Sequence, residues 1–315
     1  MQVKHLLDVK IILKEIAEMK IFKLKTNSNE IFKLTVHNYE QHTHKKSPYY
    51  DMSGKEGRYY AVCPSCNNPI QMYKLYKDTT KGQGLHARHF GKSIKGLAIY
   101  DEAKYLACEL SNPKSFGEGT KHKNKEKSNE LLTLIKRYPD LLFNEIRKIA
   151  GIGFSYKKFD TMLKHFMKSE GYYYTAINKF NLPYGFLYMQ KSINLYCGFL
   201  HKYSPHADEI KEAIQNSKYH TVVDEEIKKN IKEYAALDFY LTNHVVYKNK
   251  AKGETIELRI VESAKDYENI IFKKKIPVDK FSFMNKVSNL KDRSDKNKEE
   301  WRQRLQEIVD KYISR

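Results

Sequence analysis

The chain has 315 residues, of which 41% are hydrophobic and 30% charged, and its 57 Lys and Arg against 38 Asp and Glu give a formal charge of +19. That length and apolar share exclude a wholly disordered chain and support two or three modest domains with a real core. A positive excess of this size repels itself in the compact state, so a polyanionic partner is expected, nucleic acid foremost and DNA ahead of RNA.

The N-terminus sets Asp8, Lys10, Lys14 and Glu15 among its apolar residues, which is not the pattern of a secretion signal. No apolar run reaches membrane-spanning length. These features predict a cytoplasmic protein with no membrane partner.

Residues 1 to about 58 alternate apolar and polar positions, as in Ile21-Phe22-Lys23-Leu24-Lys25 and Ile31-Phe32-Lys33-Leu34-Thr35-Val36. The alternation predicts short strands joined by a turn at Thr26-Asn27-Ser28-Asn29. A His-rich loop (His37, His42, His44) and a turn at residues 53–57 follow. Residues 59–62 and 70–73 read as strands on either side of Cys63-Pro64-Ser65-Cys66, and residues 100–110 are helix-like. The charged run Lys121-His122-Lys123-Asn124-Lys125-Glu126-Lys127 predicts a domain boundary.

Beyond it the texture is helical. Ser128 can cap a helix through Ile135, and Pro139-Asp140 can open another through Ile149. After Gly151-Ile152-Gly153, Ser155 starts a third helix with Phe159, Met162, Leu163 and Phe166 on one face. Residues 172–189 are expected as a hairpin tipped by Asn181-Leu182-Pro183-Tyr184-Gly185. Ser204-Pro205 and Asp224 are each expected to open a helix, and residues 239–279 return to strand texture. A last amphipathic helix, residues 299–313, carries Trp301, Leu305, Ile308, Val309 and Tyr312 at helical spacing. The fold class expected is α+β in three parts. These are a β-rich zinc-binding module (1–120), a helical segment with winged helix-turn-helix character (128–200), and a mixed α/β C-terminal region (201–315).

The chain has four cysteines, and in a long chain without a secretion signal a Cys-x-x-Cys pair points to metal or redox chemistry, not a disulfide framework. A redox pair belongs at the start of a helix after a strand, whereas Cys63 and Cys66 stand between two predicted strands. Two thiolates so spaced can turn toward one metal ion, as in a zinc knuckle. His86, His89 and Cys108 are the nearby donors that could complete it. The favoured set is Cys63, Cys66, His89 and Cys108, with His86 as substitute, and four protein ligands make the expected Zn²⁺ structural.

At Cys63-Pro64-Ser65-Cys66, His89-Phe90 and Cys108 the sequence resembles a small zinc module of CoiA-like competence proteins and related mobile-element proteins. The resemblance covers about 50 of the 315 residues. A further His usual in that family shortly after the His-Phe step is replaced here by Gly91-Lys92-Ser93. The resemblance implies DNA metabolism in a mobile-element, phage or phage-defence system, and in that family a nuclease domain follows the module.

Helix, helix, turn, helix and hairpin is the order a winged helix-turn-helix requires. On this reading the third helix meets nucleic acid through Tyr156, Lys157, Lys158, Thr161, Lys164 and His165, and Lys179 sits on the wing. Ile149-Ala150-Gly151-Ile152-Gly153 also resembles the turn of a helix-hairpin-helix, where glycines admit a phosphate to backbone N–H groups. Tyr172, Tyr173, Tyr174, Phe180, Tyr184, Phe186 and Tyr188 interleave with Lys179 and Lys191, a mixture that can stack bases and neutralise phosphates.

No H-E-x-x-H or G-x-S-x-G occurs, and Gly91-Lys92-Ser93 ends like a P-loop whose first glycine position is His86. For a metal-dependent nuclease the best candidates are Asp224, Glu226 and Lys228, three residues crowded on one short segment. The expectation is therefore a zinc-containing nucleic-acid-binding accessory or regulatory protein with no catalytic residue assigned. A nuclease or nuclease subunit is the alternative, and a scaffold that binds a protein through its C-terminal helix the second.

Overall fold

The computed structural model describes residues 19–53, 57–77, 84–111, 113–230, 234–247, 253–289 and 299–313. The readings made for residues 1–18 and for positions 54–56 of the second turn lie outside the described residues.

The N-terminal alternation forms a small ribbon, β1 (Ile21–Phe22) against β2 (Phe32–Lys33). Thr35 then caps a helix by accepting from the Asn38 N–H, and α1 (Val36–Thr43) ends at His44 in the left-handed region. Where a His-rich loop was expected, this cap makes a helix whose Tyr39 is fully buried. A four-stranded antiparallel sheet follows, in order β3 (Tyr50–Asp51), β4 (Arg58–Val62), β5 (Pro69–Tyr73) and β6 (His86–His89). Single bridges, Met19 to Ala87 and Lys23 to Val62, lash the ribbon to this sheet. Asp101 caps the short α2 (Glu102–Leu106).

The helical middle begins four residues before the expected start, because Asn124 and not Ser128 is the cap of α3 (Lys125–Arg137). Pro139 opens α4 (Pro139–Ala150) as expected, and Gly151, with φ of 74°, closes it. A two-residue strand, β7 (Ile152–Gly153), leads to α5 (Tyr156–Lys168), capped by Ser155 and burying Phe159, Met162, Leu163 and Phe166 as predicted.

The expected wing hairpin at residues 172–189 is not formed. The chain makes a 3₁₀ turn (Gly171–Tyr173) and then α6 (Leu182–Tyr188), with Phe180, Tyr184 and Phe186 buried. Asn178 and Asn181 explain the difference. Asn181 Oδ1 accepts from the Asn178 N–H at 2.8 Å, and Asn178 Oδ1 from the Phe180 N–H at 3.0 Å. These side chains curl the backbone ahead of Pro183, which fits the first turn of a helix because its missing donor is not needed there.

The C-terminal part brings β8 (Ile193–Asn194), β9 (Phe199–Leu200), α7 (Ala207–Gln215), β10 (His220–Val223) and β11 (Glu226–Lys229). Three long strands follow, β12 (Ala236–Val246), β13 (Glu254–Ala264) and β14 (Tyr267–Pro277), then α8 (Ser282–Ser288) and α9 (Glu299–Asp310). They form two further antiparallel sheets, β14-β13-β12-β8 and β10-β11-β9-β7. Lys273, Lys274 and Lys275 lie on β14, the sheet edge, where charge discourages pairing with another chain. Asp224 opens no helix. It and Glu225 both have positive φ, 51° and 63°, and form the two-residue turn of the β10–β11 hairpin.

The last helix packs Leu305, Ile308 and Val309 against α3, α4 and α5. Tyr312 OH donates to Asp160 Oδ1 at 3.1 Å, tying the end of the chain to α5. One cluster of buried apolar side chains runs from Met19 to Ile313 and draws on all three predicted parts. Among the described residues no helix is long and apolar enough to cross a membrane.

Candidate metal centre and basic surfaces

Cys63 follows directly on β4 and Cys66 ends the turn after it. The Cys63 N–H donates to Asn68 O at 2.8 Å and the Asn67 N–H to Cys63 O at 3.1 Å, with Asn67 in the left-handed region at φ of 62°. This knuckle aims both sulfurs inward. Strand β6 brings His89 beside them, since Ile70 of β5 pairs with His89. Cys108 arrives just past α2, its N–H bonded to Tyr105 O at 3.1 Å.

The four donor atoms lie within 4.8 Å of one another and all four residues are buried. Cys63 Sγ is 3.8 Å from Cys108 Sγ, and Cys66 Sγ is 3.2 Å from His89 Nε2. A tetrahedral ion with metal–sulfur bonds of about 2.3 Å places its sulfurs about 3.8 Å apart, so the cluster has the dimensions of a metal-ligand set. Its electrostatics agree. Burial pushes the Cys63 thiol well up, while hydrogen bonds from Cys108 and Cys63 hold Cys66 down. Several thiolates in one buried pocket need a cation to offset their charge. These residues could therefore hold a metal ion.

His86 does not join them. Successive strand residues face opposite sides, so His86 and His89, three apart on β6, point away from each other. His86 instead stacks on Tyr73, with ring centroids 5.5 Å apart, and its Nδ1 lies 2.7 Å from Gly84 O. Two supporting residues had no signal in the sequence. Asn68 Nδ2 donates to Cys66 Sγ at 3.3 Å, and Asn68 also bonds both backbone polar groups of Asp101 at the start of α2. Lys23 is buried, its Nζ donating to Thr26 O and Ser28 O, and burial and then the charge of Lys179 lower its pKa, an effect that Cys63 and Cys66 only partly offset. A three-thiolate site holding a divalent ion carries one net negative charge, which Lys23 complements.

The expected nucleic-acid residues divide. Lys157, Thr161 and Lys164 are exposed on α5 with Lys168 along one stripe, and no acid pairs with these three lysines among the described residues. Tyr156 is half-buried against Phe143 and lies under Arg304 of α9. Lys158 Nζ donates to Asn194 O at 2.8 Å, and His165 is half-buried. Lys179 is on no wing and pairs with Glu130 at 2.8 Å.

The nuclease candidates form no cluster. Asp224 is in the hairpin turn, Glu226 pairs with Lys228 at 3.2 Å, and Cys63, Cys66, His89 and Cys108 are the one group of metal-binding geometry among the described residues. No protein-family model, no curated protein and no solved structure matches this chain.

Proposed function

We propose that the chain is a zinc-containing nucleic-acid-binding accessory or regulatory protein, in which zinc holds the N-terminal fold together. The observation that carries this reading is the buried Cys63–Cys66–His89–Cys108 cluster in a chain of formal charge +19. Three sulfurs and an imidazole are a donor set that suits zinc, and four protein ligands leave no position open for a substrate, so the metal's role is structural. The lysine stripe of α5 supplies phosphate contacts, with α3, α4 and α5 giving the three-helix setting of a helix-turn-helix without the wing. Placement in a mobile-element, phage or phage-defence system follows the resemblance of the segment from Cys63 to Cys108.

The test is a gel shift of the metal-analysed protein on DNA and RNA across a salt series, repeated with Mg²⁺ and Mn²⁺. One equivalent of zinc and a shift that fades steeply with salt are expected, because each neutralised phosphate releases counterions. No shift at low salt overturns the nucleic-acid reading. Fragments that appear only with added metal replace it with a nuclease.

A further inference from the structure

Five of the twelve large apolar side chains exposed among the described residues lie between positions 196 and 234, in and around the small β10-β11-β9-β7 sheet. Register sorts the two faces of that sheet. Ile152, Leu200, Val222 and Ile227 are buried on one. On the other, Gly153, Phe199, Glu226 and Val223 stand in a row as successive cross-strand partners.

Gly153 has no side chain, and Arg147 of α4 occupies the space. A Cβ at Gly153 would stand 3.2 Å from Arg147 Nη2 and 3.5 Å from Phe199 Cβ, so the guanidinium lies beside Phe199 on the open face. The next residues extend the same surface. The His201 N–H donates to Gly151 O at 2.9 Å, the Tyr203 ring meets His201 edge-on at 6.0 Å, and Lys202 Nζ lies 4.9 Å from the Tyr203 ring centre. Phe199 is 50% exposed and Tyr203 71%.

Among the described residues no carboxylate pairs with Arg147: its guanidinium lies 5.1 Å from the Phe143 ring centre, and its Nε is buried without an acceptor. A half-buried guanidinium in that state is completed by an anion with two oxygens to offer. Lys148 follows it on α4. The nearby acids are engaged or remote: Glu226 pairs with Lys228, Glu225 with Lys211, and Asp224 stands at the hairpin tip.

We infer that this face binds single-stranded nucleic acid, bases stacking on Phe199 and Tyr203 while Arg147, Lys148 and Lys202 hold the phosphates. This rests on the nucleic-acid reading above and names its surface and substrate class. A single strand is specified because a duplex offers phosphates but hides the base faces that two exposed rings would cover. The α5 stripe carries lysines without exposed aromatics, so it offers phosphate contacts but no stacking surface, and Lys157→Gln/Lys164→Gln should weaken single strands and duplex alike.

The test is fluorescence anisotropy with a labelled oligo-dT, an oligo-U and a duplex of equal length. It compares the wild type with Tyr203→Ala, Phe199→Ala/Tyr203→Ala, Arg147→Gln and Lys157→Gln/Lys164→Gln. Far-UV circular dichroism and zinc content serve as fold checks. The expected result is tighter binding of single strands than duplex and roughly tenfold or greater weakening per aromatic ring removed. Arg147→Gln should weaken binding and flatten its salt dependence. Wild-type binding with no loss in the folded Tyr203→Ala protein, or a preference for duplex, overturns this surface and leaves the functional reading standing. Absence of wild-type binding to any of the three probes overturns both.

Discussion

Asn68 donates its side-chain amide to Cys66 Sγ at 3.3 Å while bonding both backbone polar groups of Asp101, so one residue ties the cysteine knuckle to the helix that delivers Cys108. An N–H aimed at a thiolate lowers its basicity and fixes its direction, and partners of this kind contribute substantially to metal affinity. Asn68→Ala should therefore weaken zinc binding about 10- to 100-fold in a chelator competition while leaving the stoichiometry at one. Wild-type affinity in that variant would mean that the backbone turn alone orients the sulfur.

The parity of β6 makes a sharper prediction about the two histidines. His89→Ala, Cys63→Ser and Cys66→Ser should each lose the metal and expose the N-terminal sheet to proteolysis, because metal binding and folding of such a site are one equilibrium. His86→Ala should keep it, since its ring stacks on Tyr73 on the other face. Inductively coupled plasma analysis of the four purified variants decides the matter, and zinc lost from His86→Ala would place that ring among the ligands.

The clustering of Cys63, Cys66, His89 and Cys108 was legible because Cys-x-x-Cys spacing suits two sulfurs turned to one point, whatever surrounds it. The long helices were legible too, through Pro139 and Ser155 at their starts and the 3.6-residue spacing of Phe159, Met162, Leu163 and Phe166. What misled was aromatic alternation in residues 172–189. Tyr and Phe favour strands because they pack on half-buried surfaces, and full burial of Phe180 and Phe186 lets tertiary packing override that preference. Asp224 misled for a related reason. An aspartate can cap a helix or tolerate the left-handed turn of a hairpin, and only the pairing of Val223 with Glu226 selects the second. Asn68, Arg147 and Phe199 could not be found from spacing, because their roles depend on partners 33, 6 and 46 residues away at Asp101, Gly153 and Gly153 respectively.

The C-terminal helix already spends its apolar face within the chain. Leu305 is fully buried, and Leu305→Ala should destabilise the whole protein by about 2–5 kcal/mol, as lost burial and the cavity left behind both oppose folding. Urea unfolding followed by circular dichroism measures this. A change below about 0.5 kcal/mol, the scale of an ordinary surface substitution, would indicate that the helix is free to dock a partner protein.

Acid should act through Glu262. Burial pushes its carboxyl up, but bonds from His220, the Tyr219 and Lys218 N–H groups and Ser217 outweigh that and hold it below its ordinary 4.5. A carboxyl depressed in the fold stabilises fully above its unfolded value and loses that contribution as pH falls through the folded value. Thermal stability should thus hold near neutrality and decline below about pH 4.5 through this group. Glu262→Gln should be less stable at pH 7 by about 1–3 kcal/mol and show a shallower acid decline, since the charged acceptor is gone at every pH. Equal acid slopes in the two proteins would assign the decline to other carboxylates.

His201 gives a direct reading of the charge on the Phe199 face. Burial holds its pKa below 6.5, and the positive charges of Arg147 and Lys148 lower it further. Without ligand, its ring should therefore titrate below the ordinary histidine range, followed by the NMR shifts of its ring protons. Phosphates seated on Arg147 would offset that positive field and raise the value, so oligo-dT should move the His201 midpoint upward. No movement at His201, with binding otherwise intact, would put the strand on another surface.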